Sequence, residues 1–481
     1  MAEAGTGAAG AGKITLLALT SMVVGSMVGA GIFNLPDRFG QATGPFGALI
    51  AWAIAGTGMY MLARVFQSLA ERRPDIDAGV FAYAKAGFGD FTGFLSAFGY
   101  WLGVCLGNVF YWVLIGTTLG IFFPAFGQGN TLVSILFSLA GIWTFHFLIL
   151  RGVQQAAFIN FVVTIAKIVP LLVAVLLMAL AFNWDQFAAN FWGGADMPAK
   201  SLVAQVRDTM LITVFVFLGI EGASVYSRYA RKREDVGTAT ILGFVAVTGL
   251  MVAVTLLPYA LLPQSEIAAL RRPSLASALE AATGPWGSTF ISLGVLVSVL
   301  GAFLAWSLIC AEVMFAAAKS KDMPSLFARE NENKVPANAL WASNLVVSAF
   351  VVSTYWSADA FNFMLDMASV TSLLPYLLVA GYGVLLTRDA RVYGGQPALA
   401  RRDRMIASAA VFYVLVMFVA AGLKYVILVT VLFAPGTALY FWSRNEQGAT
   451  LFTPIERLLF LAVMIGALIG LAGLLTGRIT P

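Results

Sequence analysis

The sequence is poor in charge, in histidine and in cysteine, and these shortages exclude several classes of protein. Only 11% of the 481 residues are charged, whereas soluble domains carry about 25%. The single histidine and the two cysteines cannot form a usual metal site, and the chain has no HExxH motif. We therefore expect no metal, no other cofactor and no enzymatic activity.

The scarce residue types lie inside apolar stretches. Cys105 and Cys310 are each surrounded by apolar residues, which favours small core side chains over a disulfide. His146 lies in the middle of an apolar helix, where a hydrogen bond to another helix is the favoured interpretation and a proton relay is the alternative. The net charge of +5 comes from basic residues in short loops, so it indicates membrane topology and no nucleic-acid partner.

Apolar residues make up 60% of the chain and form long runs. A helix that crosses a bilayer needs about 20 such residues. We therefore predict an all-α polytopic membrane protein with about 13 transmembrane helices, at residues 14–36, 45–70, 89–123, 131–150, 154–182, 203–230, 237–262, 285–318, 338–357, 360–387, 404–422, 424–442 and 454–477.

Most Lys and Arg residues fall on one side of this alternation. The positive-inside rule places that side in the cytoplasm. The N-terminus, whose residues 1–12 we expect to be flexible, is then cytoplasmic and the C-terminus lies outside. The compact loops favour a multi-pass protein of a prokaryotic inner membrane, embedded in the lipid bilayer. The pattern leaves open whether it is a monomer or a homodimer.

Two of the apolar segments are interrupted by glycine. The first reads GSMVGAGIFNLP at residues 25–36, and the second reads LGIEG at 218–222. Glycine inside a helix costs roughly 1 kcal/mol relative to alanine. We therefore expect each helix to open at this point and to turn backbone groups toward a polar cavity. Close helix packing through small residues, such as Gly25 and Gly29, is the alternative.

The two breaks each lie in the first helix of a run of five predicted helices, at 13–182 and 203–387. Because five is odd, the second run starts on the opposite face of the membrane. This predicts an inverted repeat with a site at the midplane between helices 1 and 6. Residues 388–481 then hold the peripheral helices 11–13. We also predict a short surface helix at 273–282 and a re-entrant or interfacial piece at 71–90.

Three separated motifs resemble those of the amino acid–polyamine–organocation superfamily. They read GSMVGAGIF in the first helix, FLGIEGASVYSRYARK in the sixth and LAWSLICAEVMFAAAKSKDMP in the eighth. The resemblance covers about residues 13–440. It is closest to the basic amino acid/polyamine antiporters, and among these to the arginine–ornithine antiporters. It implies the leucine-transporter-like fold of ten core helices, while the thirteenth helix departs from the twelve that are common in the superfamily.

The resemblance also implies how the backbone holds a substrate. In the family, amide groups at the first-helix break hold the substrate carboxylate, and the matching positions here are Ala30, Gly31 and Ile32. Carbonyl groups at the sixth-helix break hold the α-ammonium group, and the matching positions are Phe215, Leu218 and Gly219.

Four side chains match family positions around the substrate. Phe215 stands where a related arginine–agmatine exchanger has a gating tryptophan, and Tyr100 matches the outer gate. Trp306 matches a tryptophan that packs on the long side chain of the substrate, and Asn108 matches a guanidinium contact. If the resemblance is set aside, packing against lipid or inside the protein core explains Trp306 and Phe215 equally well as contact with a cationic substrate.

Lys167, Glu221, Glu312 and Asp366 are charged residues inside predicted membrane helices, where such groups are costly and usually functional. For Lys167, the resemblance suggests an ammonium in place of sodium that holds the first helix to the eighth; a structural pair with Glu221 or a carbonyl is the alternative. Glu221 itself is interpreted either as a proton site or as a partner for freed amides. Glu312 is expected to line an inner vestibule or to have no role. Asp366 suits cation attraction at the entrance or a plain interfacial position.

Together these features predict a sodium-independent exchanger of cationic amino acids, arginine for ornithine. Arginine–agmatine exchange, lysine–cadaverine exchange and proton-coupled uptake stay open as alternatives. A channel is less consistent with two isolated helix breaks than alternating access is.

Overall fold

The computed structural model describes residues 16–76, 80–152, 156–195, 197–220, 233–357 and 359–479, and the regular structure within these ranges is all helical. Residues 1–12, which we expected to be flexible, and Glu221 lie outside the described residues.

The described helices follow one another in the order α1 Leu16–Met27, α2 Leu35–Ala42, α3 Pro45–Arg72, α4 Val80–Phe88, α5 Asp90–Phe122, α6 Leu132–Leu150, α7 Ala156–Leu180, α8 Trp184–Asn190, α9 Leu202–Val216, α10 Arg233–Leu256, α11 Gln264–Ala268, α12 Ser274–Thr283, α13 Pro285–Lys319, α14 Ala337–Ser353, α15 Ala360–Leu386, α16 Pro397–Glu446 and α17 Pro454–Leu475. A 3-10 turn, Ala30–Asn34, joins α1 to α2.

Proline marks the start of four of the long helices. Pro45, Pro285, Pro397 and Pro454 are the first residues of α3, α13, α16 and α17. The missing N–H of proline costs nothing at this position, and its fixed φ suits the first turn. At α17 a capping box adds to this, because Thr453 and Glu456 bond to each other's backbone N–H groups.

Within the described residues, nine helices are long and apolar enough to cross a membrane, or ten if the bent pair formed by α7 and α8 counts as one span. The protein is therefore a polytopic membrane protein. The count of thirteen stays a prediction. The short helices α1 and α9 enter neither total, and α16 is counted once although Gly422 has non-helical backbone angles (φ 79°, ψ 159°). That kink falls between the predicted segments 404–422 and 424–442.

The first helix is broken within the stretch that the glycine pattern predicts. Residues 28 and 29 are non-helical, and Gly29 is extended at φ −102° and ψ −168°. The chain then makes the 3-10 turn before α2 begins at Leu35. Pro36, which suits the first turn of a helix, accounts for this start.

The helix α5 forms the centre of the bundle, with most of its side chains buried and α13, α14 and α15 packed against it. The side chains of Cys105 on α5 and Cys310 on α13 meet there as free thiols, with the two Sγ atoms 3.4 Å apart. The expected hydrogen bond of His146 to another helix is confirmed, since its Nδ1 lies 3.0 Å from Asn344 Nδ2 on α14.

The short helix predicted at 273–282 is present as α12, but the prediction that it lies on the surface is wrong. Leu275, Ala276, Ala278 and Leu279 are all buried. The helix packs against α2, where the Asp37 N–H donates to Ser274 Oγ at 3.2 Å. Its buried apolar face therefore covers the end of the broken first helix.

Candidate functional site

A cavity lies where the two predicted helix breaks face α5, α13 and α15. Its wall consists of Met27, Gly29, Gly31, Tyr100, Gly103, Val104, Gly107, Asn108, Tyr111, Phe215, Val216, Leu218, Trp306 and Ser372.

At the first break, the backbone itself forms part of this wall. The first N–H groups of a helical turn have no partner inside the turn, and they carry a partial positive charge. The 3-10 turn begins at Ala30 beside the cavity. Of the three residues predicted to hold a carboxylate, Gly31 lines the cavity, while Ala30 and Ile32 are buried next to it.

Gly31 is needed because the second break approaches it closely. A Cβ atom at Gly31 would lie 2.8 Å from Phe215 Cδ1 and 2.8 Å from Val216 Cγ1. Real Cβ atoms are not found at such distances, so the glycine lets the two broken helices meet. The close-packing alternative concerned Gly25 and Gly29; a Cβ at Gly29 would lie 3.7 Å from Tyr111 Oη, an ordinary contact, so close packing does not require glycine there.

At the second predicted break, residues 217–220 form a turn that follows α9, and residues 221–232 lie outside the described residues. The Leu218 N–H donates to Phe215 O at 3.1 Å, and the Ile220 N–H donates to Phe217 O at 3.2 Å. Gly219 has φ +101°, a region that suits glycine. The α-helix ends at Val216, before the glycines rather than at them. Phe215 and Leu218 line the cavity.

The structure brings the four predicted side chains together around the cavity. Trp306 is half-buried on α13, while Tyr100, Asn108 and Phe215 are buried. Asn108 Oδ1 is inaccessible to solvent and has no hydrogen-bond partner among the described residues. A buried carbonyl oxygen without a partner is costly, so this atom is well suited to accept a hydrogen bond from a bound ligand.

Eight of the 14 wall residues are not among the predicted site residues, and Gly107, Tyr111 and Ser372 are three of them. Gly107 and Tyr111 lie on the cavity face of α5, and Ser372 lies on α15. A Cβ at Gly107 would meet nothing within 4 Å, so this glycine opens space for a ligand. The spacing from Asn108 or Gly107 to Tyr111 is one helical turn, a signal that would have placed Tyr111 on the same face.

A row of aromatic rings, which we call the aromatic stack, leads away from Phe215 in the cavity wall. The Phe215 ring lies 4.9 Å from Phe110 between centroids, and Phe110 lies 4.6 Å from Phe361. Arg272 lies over the Phe361 ring at 4.3 Å and bonds to Asp37 Oδ2 at 2.8 Å. The aromatic stack thus connects the cavity wall to a cluster of charged side chains.

We define the ion-pair cluster as Asp37, Arg38, Arg272, Asp359 and Asp366. Arg38 Nη2 lies 2.6 Å from Asp366 Oδ1, and both side chains are nearly inaccessible, at 12% and 8% exposure. Arg272 also reaches Asp359 at 3.3 Å. Asp366 is therefore paired and buried, so neither an entrance that attracts cations nor a plain interfacial position describes it.

Lys167 Nζ on α7 donates to the carbonyl oxygen of Gly25 on α1 at 2.5 Å. The bond joins the fifth predicted helix to the first, and a carbonyl partner is what the structural alternative for this lysine required. Glu312 is exposed on α13 and is not part of the described cavity wall. These contacts leave the roles of both residues as proposals.

Comparison with known proteins agrees with this geometry. A model of the amino acid permease family matches residues 14–438. The chain is 48% identical to the arginine/ornithine antiporter of Pseudomonas aeruginosa, over 97% of this chain and 98% of that protein. It is 39% identical to the L-lysine transport protein of Corynebacterium glutamicum (97% and 96%) and 34% identical to the arginine/ornithine antiporter of Latilactobacillus sakei (97% and 98%). The chain therefore belongs to the amino acid permease family, in the amino acid–polyamine–organocation superfamily.

Proposed function

We propose that this protein is an antiporter of the bacterial inner membrane that exchanges arginine for ornithine by alternating access. The observation that carries the proposal is its 48% identity, over nearly the whole of both chains, to a protein named for that exchange. The cavity supports it, because one side offers backbone amide groups and the other offers an aromatic ring and an amide oxygen.

The amino acid end of the substrate binds at the two helix breaks. Its carboxylate accepts hydrogen bonds from the N–H groups of Ala30, Gly31 and Ile32, at the positive end of the 3-10 turn. Its α-ammonium group donates to carbonyl oxygens at the second break. The positions proposed for these are Phe215, Leu218 and Gly219.

The cationic side chain of the substrate extends toward α5 and α13. No carboxylate lines the cavity within the described part of the chain, so recognition depends on neutral groups. Trp306 offers its ring face, worth about 0.5–2 kcal/mol for a cation. Asn108 Oδ1 accepts a hydrogen bond from either a guanidinium or an ammonium group. Tyr100 and Phe215 close over the bound substrate.

The proposed architecture is the inverted repeat, with residues 13–182 and 203–387 as its halves and three peripheral helices after them. In the predicted orientation, the N-terminus is cytoplasmic and the ion-pair cluster lies outside. The cluster and the aromatic stack then hold the cavity closed toward the exterior. Rocking of one set of helices against the other opens it to the cytoplasm.

Lys167 takes the place of a coupling sodium ion in this proposal. Its ammonium group satisfies the carbonyl oxygen of Gly25, as a bound cation would. Replacing Lys167 with methionine should abolish exchange in sodium-free medium. Sodium-dependent transport by the wild type would refute this role.

Lysine transport is a second candidate, because one relative at 39% identity is named for it. Both substrates carry a side-chain cation that Trp306 and Asn108 can bind. Exchange of arginine for agmatine, or of lysine for cadaverine, is also compatible with a cavity that binds the side-chain cation through uncharged groups. These candidates differ in the charge that they move, since arginine and ornithine each carry a net charge of +1 and their exchange moves none.

Labelled arginine uptake into proteoliposomes tests the proposal. The vesicles contain ornithine, lysine, agmatine or buffer alone, without sodium and with the membrane potential held at zero. We expect rapid uptake only with ornithine inside. Uptake with lysine or agmatine instead would support the second candidates, and equal uptake into vesicles with buffer alone would overturn obligatory exchange.

A further inference from the structure

A second cleft opens between the ends of α3, α15 and α16, away from the cavity described above. Its charged side chains are Arg64, Glu71, Arg72, Arg402 and Asp403, which we call the arginine cleft. Three arginines face two carboxylates, so the cleft carries an excess positive charge. This charge repels cationic amino acids and attracts an anion.

The positive charge is only partly neutralised by the protein. Asp403 is shared by two arginines, with Arg72 Nη2 at 3.2 Å and Arg402 Nη2 at 3.3 Å. Arg64 donates to the neutral amide oxygen of Gln67 at 3.1 Å. Among the described residues, no ion pair involves Arg64. Arg64 and the exposed Arg402 are therefore available to a ligand.

On α16, the cleft continues into an apolar face. Met405, Phe412 and Val419 are 62%, 69% and 79% exposed, and their spacing of seven residues places them on one side of the helix. Arg402 lies one turn before Met405 on this side. In a membrane protein such an exposed apolar face lies against lipid chains.

On α3, Arg64 is placed in the same way. Ile54 is 40% exposed, and Met61 and Arg64 follow along the same helix face. The two helices are direct neighbours, because a Cβ at Gly58 of α3 would overlap the Tyr413 ring of α16. The two apolar faces therefore lead to the same pair of arginines.

The depth of Arg64 suits a lipid headgroup. It precedes Arg72, at the end of α3, by eight residues, which is about 12 Å along the helix. A bilayer has a hydrocarbon core of about 30 Å within a total of about 40–45 Å. One polar layer is then about 5–8 Å thick, so with Arg72 at its outer edge Arg64 lies at or just below its inner edge, close to the phosphate groups and beside the apolar faces.

We propose that the arginine cleft binds the phosphate of one anionic phospholipid, whose acyl chains lie along the exposed faces of α3 and α16. Arg64 and Arg402 bond to the phosphate oxygens, since arginine is well matched to phosphate geometry. A soluble phosphate would use only the arginines, whereas a lipid also uses the apolar faces. This site is independent of which amino acids are exchanged.

Native mass spectrometry of the full chain in detergent tests the proposal, with phosphatidylglycerol or phosphatidylcholine of the same acyl chains as the probe. We expect one tightly bound phosphatidylglycerol. The double variant Arg64→Gln/Arg402→Gln should weaken it by about fivefold per arginine. The matched control Arg329→Gln/Arg457→Gln removes two exposed arginines outside the cleft and should leave binding unchanged.

A second variant, expected to change lipid binding in the opposite direction, keeps the test decisive if the double variant misfolds. Asp403→Asn removes the carboxylate that neutralises Arg72 and Arg402, so it should tighten phosphatidylglycerol binding. Equal binding of phosphatidylcholine, an equal loss in the control, or displacement of the lipid by millimolar inorganic phosphate would each overturn the proposal. Weaker binding in Asp403→Asn would do so as well.

Discussion

The buried ion pair between Arg38 and Asp366 gives the sharpest prediction. The atoms are 2.6 Å apart, and the two side chains are only 12% and 8% exposed. Tyr425 also donates to the second carboxylate oxygen, at 3.0 Å. Removing one partner of a buried pair costs about 3–5 kcal/mol, because the other charge is left uncompensated. Asp366→Asn should therefore destabilise the state in which the ion-pair cluster is closed by about 3 kcal/mol.

This change corresponds to a shift of about 100-fold in the equilibrium between the closed and open states. A reporter cysteine at Ser372 in the cavity wall, with Cys105 and Cys310 replaced by alanine, measures the shift. We expect a membrane-impermeant thiol reagent to label the Asp366→Asn protein up to about 100-fold faster. Exchange should slow, because every cycle passes through the closed state.

Two controls separate this mechanism from general damage. Asp389→Asn removes a carboxylate from a surface pair with Arg391, which is 92% exposed; exposed pairs contribute about 0–1 kcal/mol, so labelling should not change. The double variant Arg38→Gln/Asp366→Asn removes both charges and should be labelled more slowly than Asp366→Asn. Labelling of Asp366→Asn at the wild-type rate would refute the reasoning.

Three further predictions test the cavity and the periphery. Trp306→Leu should raise the KM for arginine by about 2- to 30-fold, measured by exchange in proteoliposomes; an unchanged KM would exclude ring contact. Gly31→Ala forces a Cβ to 2.8 Å from Phe215 Cδ1, so we expect a folded protein with little substrate binding by calorimetry, and normal binding would contradict the close approach. Burial raises the pKa of Asp322 to about 6, above the unfolded value of about 3.9. Its contribution to stability is therefore fully present below about pH 4 and lost as the pH rises through 6. From pH 7 to 4, the melting temperature of the wild type should rise relative to Asp322→Asn, by the equivalent of at most about 3 kcal/mol, and parallel curves would show that the carboxyl is not perturbed.

The sequence predicted the break in the first helix because its signal is local. Glycine in an apolar run marks a break without reference to any other part of the chain. Trp306, Asn108 and Tyr100 were predicted from the family resemblance, and the structure places all three around one cavity. The exact ends of the breaks were less certain, because turn geometry and Pro36 decide where a helix resumes.

The ion-pair cluster could not be predicted, since its partners are far apart in the sequence. Arg38 and Asp366 are separated by 328 positions and Arg272 and Asp37 by 235. We interpreted Asp366 as a carboxylate at the entrance or at the membrane interface, because a single sequence does not show which cationic side chain lies next to it. The burial of α12 was missed in part for the same reason, since α2 and α7, which pack on it together with the adjacent α13, are distant in the sequence.

The contacts of the first broken helix suggest why exchange would be obligatory. Lys167 holds the part before the break through Gly25, while Asp37 and the Arg38–Asp366 pair hold the part after it. An empty carrier must separate these buried charges to open, and this costs free energy. A substrate that binds at the break touches both parts of this helix, so its binding energy can offset that cost. Substrate-driven opening therefore requires the ligand to bind the helix break itself, and a ligand that contacts only Trp306 should occupy the cavity without being exchanged.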